Sequence, residues 1–285
     1  MATAFNDALS DSQFSELLKI IHQLTGISMS TKRKSMLVSR LRGRLRANHL
    51  KDFASYLELL NTKNSEVDEF VNSVTTNKTL FYRTPRIWVH LRDVFIPNWI
   101  RENHNRAMQV WSAAASTGEE IYTAGMILED FRLSQKNFDY RLIGTDVSER
   151  VIQIAEQGLY RGRVITMLRQ AAPELLNRHM LGNEDAGYRV APDIRSRIKF
   201  KQHNIFTPIK AEQQFDLILL RNLMIYFDRK DQEKALGHVE RALRPNGILV
   251  IGESETLSQM QSNFIAAEPL IYRRRGLVSS VPHDT

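Results

Sequence analysis

The chain has 285 residues, 42% hydrophobic and 25% charged, the proportions of an ordinary globular protein with room for one large core plus a small accessory domain. It contains no cysteine, which excludes disulfide scaffolds, thiolate nucleophiles and thiolate metal sites, and its eight histidines never fall at metal-ligand spacing, so no metal is expected. No apolar run approaches the ~18–20 residues of a membrane span, and residues 1–12 lack the basic-then-apolar order of a signal peptide, so a cytoplasmic protein without direct membrane insertion is expected.

The first predicted helix opens at Asp11-Ser12-Gln13, repeats Phe14, Leu17, Leu18, Ile21 and Leu24 at helical spacing, and stops at Gly26. The net charge of +7 resides in the next segment. Residues 29–50 hold Lys32, Arg33, Lys34, Arg40, Arg42, Arg44 and Arg46 and no acid. Removing those seven from the 39 Lys and Arg leaves 32, equal to the 32 Asp and Glu. Leu37, Val38, Leu41 and Leu45 form the core stripe of this helix, with Arg33, Arg40 and Arg44 together on a neighbouring face. Helical stretches at 52–60 and 65–74 complete a small all-α domain over 1–75, and 76–107 reads as a linker and the start of a second domain.

From 108 onward strands alternate with helices. Strands are expected at 109–114, 140–145, 198–203, 215–220, 247–252 and 269–273, and helices at 119–132, 148–156 and 230–243. Such alternation predicts an α/β fold, a doubly wound and mostly parallel sheet covered on both faces. Arg244-Pro245-Asn246-Gly247 reads as a helix exit and turn. Residues 158–197 break the rhythm around the turn signal at 182–187 and predict an inserted antiparallel β-subdomain; the second domain ends near 278, and 279–285 reads as a loose tail.

Doubly wound sheets bind ligands beyond the carboxyl ends of their strands. Trp111-Ser112-Ala113-Ala114-Ala115-Ser116-Thr117-Gly118-Glu119-Glu120 joins the first strand to a helix through small residues, which allow close approach of a ligand but equally suit a plain strand-to-helix turn. Asp146, ending the second strand, can accept hydrogen bonds from ribose hydroxyls or simply cap the next helix. Asn204-Ile205 offers an amide to an adenine edge, or a turn, and Arg221-Asn222 extends the same rim. Four strand ends carrying small or polar residues outweigh any one of them.

Thr75-Thr76-Asn77-Lys78-Thr79-Leu80-Phe81-Tyr82-Arg83 resembles a signature of the CheR family of chemotaxis receptor methyltransferases. The 111–120 loop and Arg221-Asn222-Leu223-Met224-Ile225-Tyr226-Phe227-Asp228 resemble two more, in the same order, and the likeness runs from the N-terminal helices to Ile251-Gly252-Glu253-Ser254-Glu255. The resemblance implies a class I S-adenosylmethionine-dependent methyltransferase, Rossmann-like, that forms methyl esters on receptor glutamates and releases S-adenosylhomocysteine. It implies cofactor contacts from Asn77, Thr79, Arg83, Glu120, Asp146, Asn204, Ile205, Arg221 and Asn222, with Arg83 and Tyr226 nearest the transferring methyl. It also implies that the basic helix, through Arg33, Arg40, Arg42, Arg44 and Arg46, docks the cytoplasmic helical region of chemotaxis receptors, recruiting the protein to receptor arrays. In some members the β-subdomain grips a receptor C-terminal peptide by strand addition. Tyr82 stands where phenylalanine is common in the family, Leu220 where cysteine is, and 251–254 replaces a frequent glycine-histidine-serine run.

This chemistry suits the composition. A glutamate has an unperturbed pKa near ~4.3 and is already ionised at neutral pH, so an in-line displacement on a sulfonium needs no general base. Two rival readings are a nucleic-acid methyltransferase and a cofactor-sensing module without turnover. The first lacks the Asn/Asp-Pro-Pro-Tyr/Phe motif expected after its fourth strand, and the intact Arg83 and Tyr226 oppose the second. No nucleic-acid partner is therefore expected.

Overall fold

The computed structural model describes residues 9–103, 105–210 and 212–275; the tail expected at 279–285 lies outside them. Helix α1 (Asp11–Thr25) begins with a capping box, in which Ser10 Oγ accepts from the Gln13 amide and the Gln13 side chain accepts from the Ser10 amide. It ends at Gly26, whose φ of 72° is the left-handed conformation of a C-terminal glycine. A Cβ on Gly26 would also fall 1.8 Å from the Phe206 ring, so the exit from α1 is shaped by contact with the second domain.

A 3₁₀ turn (Thr31–Arg33) leads into α2 (Lys34–Ala47), followed by α3 (Phe53–Thr62) and α4 (Asn64–Val74). Their apolar stripes meet in one cluster built around Leu17, Ile21, Leu37, Leu41, Leu45, Tyr56 and Phe70. The basic residues of α2 divide into two sets. Arg33, Arg42 and Arg46 are exposed. Arg44 instead holds the buried Glu66 carboxylate through Nε and Nη2 at 2.9 and 2.6 Å, and Arg40 donates to the Val74 and Thr75 carbonyls and to Thr76 Oγ1. The expectation that all five arginines present a docking face is corrected at Arg40 and Arg44, which tie α2 to α4 and to the chain leaving it.

The second domain starts with α5 (Pro85–His90), which runs through one π turn (Leu91–Phe95) into α6 (Ile96–Glu102). Then come β1 (Met108–Ser112), α7 (Glu119–Ser134), β2 (Tyr140–Asp146), α8 (Glu149–Gln157), β3 (Leu159–Tyr160), α9 (Arg163–Ala171), α10 (Pro173–His179), β4 (Met180–Asn183), β5 (Gly187–Val190), α11 (Pro192–Arg195), β6 (Ile198–Gln202), β7 (Phe215–Leu220), α12 (Arg229–Ala242), β8 (Leu243–Ile251), β9 (Phe264–Glu268) and β10 (Ile271–Arg274). Seven strands form one sheet in the order β6-β2-β1-β7-β8-β10-β9, all parallel except the last hairpin. Order reverses between β1 and β7, placing the topological switch point, and a crevice, at their carboxyl ends. Strands β3, β5 and β4 make the separate antiparallel subdomain.

Two expectations near the C-terminus are corrected. The single last strand at 269–273 is a hairpin, with Pro269 and Leu270 (φ 71°) in its turn and the exposed β9 before it. The turn read at Arg244–Gly247 lies inside β8, where a register shift against β7 absorbs it.

Candidate functional site

A cleft opens at the switch point, with about 760 Å³ of space between protein atoms, part of it open to solvent. Both domains build it. Thr25 and Ile27 come from the exit of α1, and Thr75 to Leu80 and Arg83 from the segment joining the domains. The sheet contributes Ala114, Ser116, Glu120, Asp146, Val147, Arg221, Asn222, Leu223 and Tyr226.

The β1–α7 loop is tied to the strands beside it: Ala113 N–H donates to the Leu219 carbonyl and Ala115 N–H to that of Thr145. Ser116 takes φ 50°, and Gly118, at φ 97°, has no room for a Cβ beside the Tyr160 hydroxyl, 2.9 Å away. Trp111 is core: its indole N–H donates to Thr145 Oγ1. Four of the six non-glycine residues with positive φ among the described residues, Tyr82, Thr84, Ser116 and Asn222, lie on or beside the cleft, so unfavourable backbone conformations concentrate where the walls meet.

Its two carboxylates are both engaged. Asp146 accepts the Ser116 and Ser148 amides at 2.9 and 3.0 Å; burial nevertheless raises its carboxyl above the ordinary carboxylate value. Glu120 accepts from Ser112 Oγ and from Arg221. Arg221 is held at both terminal nitrogens: Nη1 bonds Glu120, Nη2 donates to the Arg83 carbonyl and Thr84 Oγ1, and the guanidinium lies over the Trp88 ring, with the buried Nε unpartnered among the described residues. By contrast the Arg83 guanidinium and the Tyr226 hydroxyl have no hydrogen-bond partner among the described residues, and both line the cleft.

Asn77, Thr79, Arg83, Glu120, Asp146, Arg221, Asn222 and Tyr226 thus gather in one place. Asn204 and Ile205 do not line it. The Asn204 amide donates to the Leu24 carbonyl and its oxygen accepts the Phe206 N–H, latching α1 to the sheet. Ile205 is buried in the cluster around Trp111. Sequence reasoning missed the contributions of Thr25 and Ile27, because the exit of α1 carries no motif and reaches the cleft only through tertiary packing. It also passed over Glu255, whose buried carboxylate accepts the amides of Gly252, Asn222 and Met224.

The donor set fits an adenosyl sulfonium cofactor: a buried, hydrogen-bonded carboxylate at the end of the second strand, small residues in the loop beside it, and a second carboxylate in the first turn of α7. The CheR methyltransferase SAM-binding domain matches residues 77–271, and the CheR methyltransferase all-alpha domain matches 12–75. The chain is 33% identical to the chemotaxis protein methyltransferase of Salmonella typhimurium, covering 93% of this chain and 91% of that protein. It is 32% identical to the chemotaxis protein methyltransferase of Escherichia coli, covering 93% and 91%. Identity to chemotaxis protein methyltransferase 2 of Pseudomonas aeruginosa is 32%, covering 90% and 89%. With its all-α domain and its SAM-binding domain both matched, the chain belongs to the CheR methyltransferase family and is a class I S-adenosylmethionine-dependent methyltransferase.

Proposed function

We propose that this chain methylates glutamate side chains of chemotaxis receptors, forming methyl esters on their cytoplasmic helices. The observation that supports this best is the make-up of the cleft. Among the described residues it is lined by no histidine, the chain has no cysteine, and its two carboxylates are already held by donors. No group there, among the described residues, is poised to take a proton, which favours an acceptor that arrives already ionised, as a carboxylate does at neutral pH. The cofactor supplies a methyl on a positively charged sulfur. Asp146 would receive its ribose hydroxyls, and Glu120, Asn77, Thr79 and Asn222 the polar groups of its methionyl end. Arg83, whose guanidinium is free to meet a carboxylate, orients the acceptor, and Tyr226 borders the path of the methyl.

Labelled methyl donor offered with receptor-containing membranes should yield base-labile label in receptor protein. Label in nucleic acid, or none in any acceptor, would sink the reading.

A pH dependence arises from Asp146. Hydroxyls donating to its carboxylate favour the ionised form, whereas burial in the free protein favours the protonated one. Affinity for S-adenosylhomocysteine is therefore full above that raised pKa and declines as pH falls through it. Calorimetric titration at stepped pH on the acid side of neutrality should show this slope. Asp146→Asn should remove the slope and weaken binding about tenfold or more, the worth of one charge-assisted hydrogen bond.

The antiparallel subdomain supports a second receptor contact. Strand β4 is a sheet edge with Leu181 exposed on it, the arrangement that accepts an added strand.

A further inference from the structure

We propose that Glu255 is a positioning residue for methyl transfer, acting through the segment that carries Asn222 and Tyr226; this rests on the methyltransfer reading of the cleft. The chain leaves β7 at Leu220 and must turn at once to bring Tyr226 back over the cleft. It does so with Asn222 at φ 58°, followed by a 3₁₀ turn (Met224–Tyr226) whose first amides have no capping side chain from their own segment. Amides at the start of such a turn need acceptors from elsewhere. Glu255 supplies them from the loop after β8: Oε2 accepts Asn222 N–H at 2.9 Å, and Oε1 accepts Met224 N–H at 2.8 Å. The carboxylate is fixed in its own turn by the Gly252 amide at 2.6 Å.

The clamp has two jaws. A Cβ on Gly252 would fall 2.6 Å from the Asn222 side-chain nitrogen and 2.8 Å from its backbone nitrogen, so only glycine lets the loop close against Asn222. Among the described residues Glu255 forms no ion pair. It is a buried carboxylate held by backbone amides alone, an arrangement costly to bury and rewarded here only by the fixed shape of residues 221–226. Beyond the turn, Tyr226 is secured by its carbonyl accepting the Ser28 amide and by Gln232 reaching the Met224 and Phe227 carbonyls, and its hydroxyl is left free. Glu255 therefore sets where that hydroxyl stands without touching the cleft itself.

A double-mutant cycle tests this in the full-length chain, using Glu255→Gln, which keeps the volume but loses one acceptor oxygen, and Tyr226→Phe. Glu255→Gln should lower kcat for receptor methylation roughly tenfold or more while S-adenosylhomocysteine affinity changes less than about threefold, since misplacement rather than lost binding is responsible. In the Tyr226→Phe background the same substitution should cost less than about threefold, because the hydroxyl it positions is already gone. An equal cost in both backgrounds, a loss that tracks cofactor affinity or thermal midpoint, or unchanged kcat overturns the proposal alone. Absence of any receptor methylation by the unaltered chain overturns the reading of the cleft and this proposal with it.

Discussion

Arg221→Met should lower the unfolding free energy by about 3–5 kcal/mol, the typical cost of removing one partner from a buried ion pair, and should lower turnover about 10²-fold or more. The Arg221 side chain is 2% exposed and is shared among three partners: Glu120 on α7, the Arg83 carbonyl and the Thr84 hydroxyl. Methionine fills the volume but leaves the largely buried Glu120 carboxylate with only the Ser112 hydroxyl. It also frees the backbone between Tyr82 and Thr84, both held at positive φ, from which the Arg83 side chain departs. The second change sets the activity, since a shift of about 1 Å at a reacting group can cost 10²-fold. The two effects separate in a paired variant. Adding Glu120→Met removes the stranded charge and should restore much of the thermal midpoint, whereas methyl transfer, deprived also of a cofactor contact, should stay at or below the level of Arg221→Met. Recovery of turnover together with stability would show that Arg221 matters only for folding. Thermal unfolding and single-turnover methyl transfer on the three variants make the comparison.

The outline of the fold was legible because its signals are local. Helical spacing marked α1 and α2, and apolar runs between turn residues marked β1, β2, β6 and β7 within a residue or two. Strand β9 escaped because Ile265 to Glu268 are exposed and carry no alternation, so its place beside β10 is fixed by tertiary pairing. Strand ends pointed to the cleft because ligands collect at the switch point of such sheets, but they did not reveal which side chains remain free. Arg221 and Arg83 look equally cationic in sequence. One is spent inside the wall and the other faces the cleft, and only the packing of Trp88 and Thr84 separates them. Asn204 shows the same limit: a polar residue at a strand end turned out to serve the domain interface. Glu255 was invisible for a related reason, since its partners are backbone amides and amides carry no residue identity.

The same limit changes how the basic helix must be tested. The family resemblance implied a docking surface of five arginines, yet reversing Arg44 would test folding rather than docking. Glu66 is 2% exposed, and burial alone drives its carboxyl up. The bonds from Arg44, Asn48 and Tyr56 outweigh that and hold it below the ordinary value. Its contribution to stability is therefore present at neutral pH and lost as pH falls through the depressed pKa. Arg44→Glu would set a second carboxylate against it, and the helical domain should lose about 3–5 kcal/mol, enough to unfold it in a marginally stable chain. Arg33 and Arg46 are exposed, and reversing both should leave the thermal midpoint within a degree or two, since surface charges contribute about 0–1 kcal/mol. If the helix steers acidic receptor bundles toward the cleft, Arg33→Glu with Arg46→Glu should cut kcat/KM for receptor methylation roughly tenfold at low ionic strength, with S-adenosylhomocysteine affinity unchanged. Added salt should slow the unaltered chain and narrow the gap, because screening removes the attraction that the variant has already lost. A variant that methylates receptors as fast as the unaltered chain at every salt concentration would place the receptor on another face, and the charge of the helix would then be a solvated surface.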